Sequence, residues 1–351
     1  MHVALLLQEL PVHPTAADAD VLMQCDRIER ALSRLGHTTV RVSFGMDLGE
    51  VQEQLRRTSP DVVFNLVESV NGTDRLMPLA TLLLESLDLC FTGSSSQAIL
   101  SSSGKVAAKR IMHSAALPTP AWLVDDGKTS PLDGVVWQGK RTQSGNVKPQ
   151  SAIVKTVWEH ASFGMDDDSV VRCSGSETDQ ADYDREVVHR IRQRFNSTGK
   201  LHFAEEYIHG REFNLSLLSR SDGVEVLPPA EIRFIGFAPE RPHLVGYQAK
   251  WDESSPDYQN TPRTFDFTAD EGPLLQNLSG IAASCWEVFG LRGWARVDFR
   301  VDSEGQPWIL EINANPCLSE DAGFAAAVER AGRNYEEAIE RILQDALVPR
   351  L

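Results

Sequence analysis

Residues 294–316 read WARVDFRVDSEGQPWILEINANP. In the first half Ala295, Val297, Phe299 and Val301 alternate with Trp294, Arg296, Asp298 and Arg300. In the second, Trp308, Leu310 and Ile312 alternate with Ile309, Glu311 and Asn313. Period-two patterning on both sides of Asp302-Ser303-Glu304-Gly305 predicts a β-hairpin with a short polar turn. Closing that turn symmetrically pairs Val301 with Gln306. Arg296 then lies across from Glu311 and Asp298 diagonal to it, about 7–8 Å apart, with Asn313 extending the row. Two carboxylates and an amide converging from two strands are hard oxygen ligands, the kind Mg²⁺ takes when it also holds phosphate. An Arg opposed to a Glu also describes a surface ion pair. Against that, the flanking residues are bulky and apolar, and the run Glu311-Ile312-Asn313-Ala314-Asn315-Pro316 puts polar groups where the strand should stop, as at the rim of a site.

The composition sets bounds. A chain of 351 residues can form two or three packed lobes, and 42% hydrophobic with 24% charged residues is ordinary for a globular protein. The net charge of −16, without a basic block, argues against nucleic acid, whose binding rests on Lys and Arg contacts to phosphate. A bound nucleotide therefore needs a local cationic patch. Cysteines at 25, 90, 173, 285 and 317 are odd in number and form no CxxC, so neither a disulfide framework nor a zinc site is indicated. A cytoplasmic location fits best. No signal peptide is expected, and no apolar run approaches the roughly 18 residues of a membrane span.

Upstream of the hairpin, strands are expected at His2 to Gln8, Thr38 to Phe44, Asp61 to Leu66 and Leu89 to Thr92. Helices are expected from an Asp20 cap to Leu35 and over Arg75 to Leu87. This alternation implies an open parallel sheet with covering helices. Gly93-Ser94-Ser95-Ser96…Gly104-Lys105 is not a P-loop, because the spacing is wrong and Val106 stands where Ser or Thr is required. Lys105 opens a helix, with Lys109 one turn later on the same side; a solvated position is expected for Lys109. Asp125 to Gln150 reads as a polar insertion. Ala152 to Thr156 is a strand carrying Lys155, and buried strands rarely carry an unpaired Lys. Val157 to Met165, with Ser162 and Gly164, is a loop whose backbone N–H groups can cradle phosphate. Strands follow at Ser169 to Cys173, Leu201 to Ile208, Glu212 to Ser219, Val224 to Leu227 and Ala230 to Phe234. Helices follow at Gln180 to Phe195, Leu274 to Phe289 and, as a pair, Ala322 to Leu347.

The run Arg-Val-Asp-Phe…Leu-Glu-Ile-Asn-Ala-Asn-Pro resembles the metal-binding signature of the ATP-grasp superfamily, and in detail that of D-alanine–D-alanine ligases. The likeness covers Lys105 to about Cys317, and the first lobe in outline. It implies an ATP-grasp architecture of the α/β and α+β classes: an open-sheet N-terminal lobe (1–102), a central lobe (103–200) and a C-terminal lobe (201–351), the last two clasping ATP. By resemblance Asp298, Glu311 and Asn313 would hold two Mg²⁺ ions, with Mn²⁺ able to substitute. Lys105, Lys155 and Lys250 would neutralise the phosphates, and Ser162 lies in the loop that closes over them. Glu205 would accept from the adenine amino group, the backbone at Glu206 and Ile208 would read the ring edge, and Glu212 would bind the ribose. Arg296 would steady an acyl phosphate and the tetrahedral intermediate.

The chain also departs from that family. No Gly-rich loop follows the first strand, where Glu9 to Pro14 stands. Val67 to Asp74 lacks the family's His. Ala161, Trp251, Cys317 and Ala322 replace the family's Ser, Tyr, Gly and Ser. Cys317 reads as a small side chain narrowing the pocket, since a nucleophilic thiol needs an activating base. The expected activity is ATP-dependent carboxylate–amine ligation on small amino-acid or carboxylate substrates other than two D-alanines. True D-alanine–D-alanine ligation and a non-catalytic nucleotide-binding module are the alternatives. The resemblance leaves a homodimer open.

Overall fold

The computed structural model describes residues 1–11, 16–125, 137–139, 149–159, 162–173, 179–252 and 254–349. Most of the 125–150 insertion, and Ala161, fall outside them.

Three strands, His2–Gln8, Thr38–Phe44 and Val62–Asn65, form a parallel sheet with His2–Gln8 in the middle. Both faces of that central strand are buried. Val3, Leu5 and Leu7 pack against Cys25, Ile28 and Leu32 of helix Ala16–Arg34. Ala4 and Leu6 pack against Val51, Leu55 and Leu84. Near-continuous apolar runs are what a strand covered on both sides requires. Two expectations are corrected. Asp20 lies inside the first helix rather than capping it. Residues 89–92 contribute a single bridge, Val63 to Phe91, rather than a strand; the positive φ of Asp88 and Gly93 turns the chain on either side.

The second sheet is antiparallel, in the order Trp122–Leu123, His202–Glu206, Ser151–Thr156, Val170–Arg172. Helix Asp179–Thr198 covers one face through Val187 and Ile191. The strand carrying Glu205 and Glu206 lies inside this sheet, between Trp122–Leu123 and Ser151–Thr156.

The third sheet has six antiparallel strands. Its main path runs Arg263–Thr264, Ala230–Ile232, Arg211–Arg220, Trp294–Val301, Pro307–Asn313, with Gly223–Val226 also pairing to Arg211–Arg220. One face is apolar: Phe213, Leu215, Ala295, Val297, Phe299, Ile309 and Ile312 are fully buried, under helix Gly272–Phe289. Ile99, Ala108 and Met112, from helices Ser96–Ser103 and Lys105–Ser114, join that core. The helix opened by Lys105 therefore packs on the third sheet, while the Lys105 N–H donates to Val157 O of the second at 2.9 Å. The C-terminal helix Tyr335–Ala346 returns to the first sheet through Ile339, Ile342 and Leu343.

The hairpin forms, with a different register. Val301 pairs with Pro307 instead of Gln306, because Gly305 takes φ +79° and adds a residue to the turn. Asp302 closes that turn by accepting from the backbone of Glu304 and Gln306 and from the Trp308 indole. A bulge at Leu310 then shifts the ladder again. Asp298 consequently stands directly opposite Glu311, and Arg296 opposite Asn313.

Candidate active site

The polar face of the third sheet is built by the same alternation that builds its core. In Arg211–Arg220, Glu212 and Asn214 alternate with buried Phe213 and Leu215. Asn214 pairs with Asp298, which pairs with Glu311, so these three residues form one row across three strands. Glu212 pairs with Arg300 in the neighbouring row, and their side chains form an ion pair of 2.8 Å. The Leu310 bulge keeps Ile309 and Ile312 in the core while Leu310, Glu311 and Asn313 face outward.

That outward face is one wall of a cleft of about 900 Å³. Asp298, Glu311, Asn313, Arg296 and Glu212 line it from the third sheet, Lys155, Glu205 and Glu206 from the second. Lys105, Ser162, Ile208 and Lys250 reach it from connecting segments. Every site residue expected from sequence therefore borders this one cavity.

The contacts differ from expectation in three places. Arg296 does not face Glu311; it chelates Asp298 through Nε and Nη2, each at 2.8 Å. Asn214 also donates to Asp298, at 2.9 Å. Lys109 is not solvated: its ammonium lies 2.7 Å from Glu205 and donates to Thr119 and to the Pro120 carbonyl. Glu205 is sealed between Lys109 and Lys155. Lys105 donates to the Glu159 carbonyl at 2.7 Å and stands 3.9 Å from Glu311. The Ser162 hydroxyl donates to the Val245 carbonyl at 2.7 Å, docking its loop beside the helix that carries Lys250.

The charges are tuned by depth. Burial works against the Arg296 guanidinium, but Asp298 and then Glu311 more than offset it and hold its proton firmly. The Lys250 ammonium is pushed down, by burial first and by Arg296 second. Burial alone would push the Glu205 carboxyl up; Lys109 and Lys155 hold it below the usual carboxylate range.

The donor set fits a hard divalent cation. Asp298 and Glu311 are directly opposed, Asn313 adds an amide oxygen, and Asn214 orients Asp298 from outside.

Sequence reasoning missed several cleft residues. Asn214 was detectable, because it alternates with apolar neighbours on a core strand. Asp20, Glu68 and Arg263 carried no such signal, yet all line the cleft, as does Asp321, which the sequence offers as a substitute substrate contact. Asp20 accepts from the Ser319 hydroxyl at 2.7 Å and from the Cys317 thiol at 3.0 Å. Burial, Glu68 and Asp20 all raise the Cys317 pKa. A thiol held protonated in this way matches the reading of Cys317 as a small wall residue. No helix among the described residues is long and apolar enough to cross a membrane.

Comparison with known proteins adds to this geometry. The family described as D-ala D-ala ligase C-terminus matches residues 178–344. A D-alanine–D-alanine ligase from Synechococcus sp. (strain JA-2-3B'a(2-13)) is 29% identical over 319 residues, covering 91% of this chain and 86% of that protein. One from Moorella thermoacetica is 26% identical over 323 residues, covering 92% and 93%. An uncharacterized protein of Sinorhizobium fredii is 28% identical over 327 residues, covering 92% and 86%. Among solved structures, a D-alanine–D-alanine ligase from Bacillus anthracis complexed with ATP superposes with a TM-score of 0.69 at 17% identity, covering 99% of this chain and 97% of that one.

Proposed function

We propose that this chain, similar to D-alanine–D-alanine ligases in sequence and fold, is an ATP-grasp ligase that joins a carboxylate to an amine through an acyl phosphate, on amino-acid-like substrates other than two D-alanines. The observation that carries the ligase reading is the Asn214–Asp298–Glu311 row facing Lys105 across a single cleft. Lys105, Lys155 and Lys250 supply the positive charge that a triphosphate needs in a chain of net charge −16. Asp298, Glu311 and Asn313 would hold Mg²⁺, taken as two ions and replaceable by Mn²⁺. Mg²⁺ there would offset phosphate charge and orient the γ-phosphoryl group. Phosphoryl transfer rests on positioning and electrostatics, which spaced cations provide.

Arg296, fixed by Asp298, has its guanidinium where charge develops as the amine attacks. Glu212, Glu206 and Ile208 suit the uncharged sugar and base. Glu205 acts toward adenine only if one of its lysines yields, and in this structure it organises Lys109 and Lys155 instead. The substrate half carries the departures: Trp251, Cys317 and Ala322 stand where the likeness expects Tyr, Gly and Ser, and Asp20, Glu68 and Asp321 make that end of the cleft acidic. The second reading, ligation of two D-alanines, is favoured by the similarity to D-alanine–D-alanine ligases.

ADP release with Mg²⁺-ATP against a panel of D- and L-amino acids tests both, with Asp298→Asn and Glu311→Gln as controls. Acceleration by amino acids other than D-alanine, abolished in the controls, is expected. Turnover confined to D-alanine would establish the second reading. ATP binding without accelerated ADP release by any amino acid would reduce the chain to a nucleotide-binding module.

A further inference from the structure

Arg300 borders the cleft from strand Trp294–Val301, yet it is only 3% exposed. A buried guanidinium is costly unless its donors are engaged, and three separate segments engage this one. Nη1 donates to the Gly210 carbonyl at 3.1 Å, Nη2 donates to the His243 carbonyl, and Nη2 lies 2.8 Å from Oε2 of Glu212. The rings of Tyr207 and Phe234 lie 5.8 Å and 5.3 Å from its Cζ, within range of a cation–π attraction.

The anchors are themselves fixed. Gly210 has a φ of +147°, and a Cβ there would stand 1.9 Å from the Val301 carbonyl, so only glycine lets the chain approach the hairpin strand this closely. The Tyr207 hydroxyl accepts from the His243 N–H at 2.8 Å and donates to the His243 carbonyl at 3.2 Å. Arg300 is thus held by backbone on one side and meets Glu212 on the other, the two residues being paired across neighbouring strands.

That arrangement does two things to Glu212. A carboxylate with one oxygen bonded to a fixed guanidinium is fixed in direction, and its lone pairs can still accept from an incoming hydroxyl. The guanidinium also offsets the charge of Glu212, which would otherwise oppose a polyanionic nucleotide. An oriented and neutralised carboxylate suits the vicinal hydroxyls of a sugar, because it need not be ordered at each binding event.

We propose that Arg300 is the positioning residue for nucleotide selection: it aims Glu212 at the ribose hydroxyls and so sets a preference for ribonucleotides over nucleotides that lack those hydroxyls. This rests on the role given to Glu212 above. Arg300 acts on the nucleotide through Glu212, apart from the reacting groups.

The test is calorimetric titration of the intact protein, in Mg²⁺ and without amino acids, with ATP and with 2′,3′-dideoxy-ATP. The wild type should bind ATP roughly 10- to 100-fold more tightly, the range for hydrogen bonds to a charged group. Arg300→Met, whose apolar chain suits the neighbouring Tyr207 and Phe234 rings, should weaken ATP by a similar factor and the dideoxy nucleotide by no more than about twofold. Glu212→Gln should erase the preference too, and the double variant should lose no more than either single one, as for two residues acting as a unit. Arg300→Lys, which keeps the charge and loses the fork, should give an intermediate preference even if Arg300→Met does not fold. Equal weakening of both nucleotides in the folded Arg300 variants would make Arg300 a packing residue and overturn the proposal. A wild-type preference in those variants, with the preference lost in Glu212→Gln, would overturn it and leave the Glu212 reading standing. If the wild type shows no preference, the ribose role of Glu212 fails and the proposal with it.

Discussion

Lys109 and Glu205 form an ion pair of 2.7 Å with both side chains only 1% exposed. The pair joins the third-sheet helix Lys105–Ser114 to the strand His202–Glu206 of the second sheet, and Lys155 completes it from the next strand. A buried charge is tolerated when it is paired and bonded on all sides, and Thr119 and the Pro120 carbonyl provide the remaining partners of Lys109.

Removing one member should therefore cost more than removing both. Glu205→Leu, which leaves Lys109 buried without a counter-ion, is expected to lower unfolding free energy by about 3–5 kcal/mol, the range for orphaning a buried charge. Lys109→Met with Glu205→Leu should recover much of that loss. Urea unfolding followed by circular dichroism measures both; a double variant no more stable than the single would contradict the account.

Two desolvated histidines, one buried and one half-buried, set a pH dependence. His202 is pushed down mainly by burial, and so is His243, which stacks on Phe234. Unfolded, each titrates near 6.5. Below that value the unfolded chain takes up protons that the folded chain refuses, so stability is full above about 6.5 and falls as the pH drops toward the lower folded values. The urea midpoint should decrease between pH 7.5 and 5.5, and His202→Gln should flatten the slope. An unchanged slope in that variant would remove His202 as a cause.

Asn214 donates to Asp298, one of the three residues proposed to hold Mg²⁺, at 2.9 Å. Loss of such an outer partner typically weakens metal affinity by roughly 10–100-fold. Asn214→Ala should raise the Mg²⁺ concentration needed for half-maximal ADP release by about that factor, with a smaller change at saturating Mg²⁺. A drop in maximal rate with no change in Mg²⁺ requirement would place Asn214 elsewhere in the reaction.

Thiol reactivity separates the two readings of Cys317. Burial pushes Cys25 up to about 11 and Cys285 up to about 12, and Cys317 is raised further still. Cys90 is exposed. Iodoacetamide at pH 7.5 should label Cys90 first and leave Cys317 unmodified, and Cys317→Ala should retain ADP formation within a few-fold. Prompt labelling of Cys317, with loss of turnover on its substitution, would make it a nucleophile.

Much of the site was legible because local patterns encode which face a side chain occupies. Period-two alternation through 294–313 put Arg296, Asp298, Glu311 and Asn313 opposite an apolar core face, and a lysine on the buried strand Ser151–Thr156 marked Lys155. Alternation does not encode offset. The left-handed Gly305 and the Leu310 bulge shift the ladder without changing which residues are apolar, so the pairing of Asp298 with Glu311 could not be read from the pattern.

By itself the sequence determined the hairpin, where most strands and helices lie, their polar and apolar faces, and the lysines and carboxylates a nucleotide cleft would need. Only the tertiary structure decided that Lys109 is buried, that Asp20 meets Cys317 across 297 residues of chain, and that Arg263 lines the cleft. Faces follow from the backbone repeat within one element. These contacts depend on how separate sheets and helices pack together, which no local repeat records.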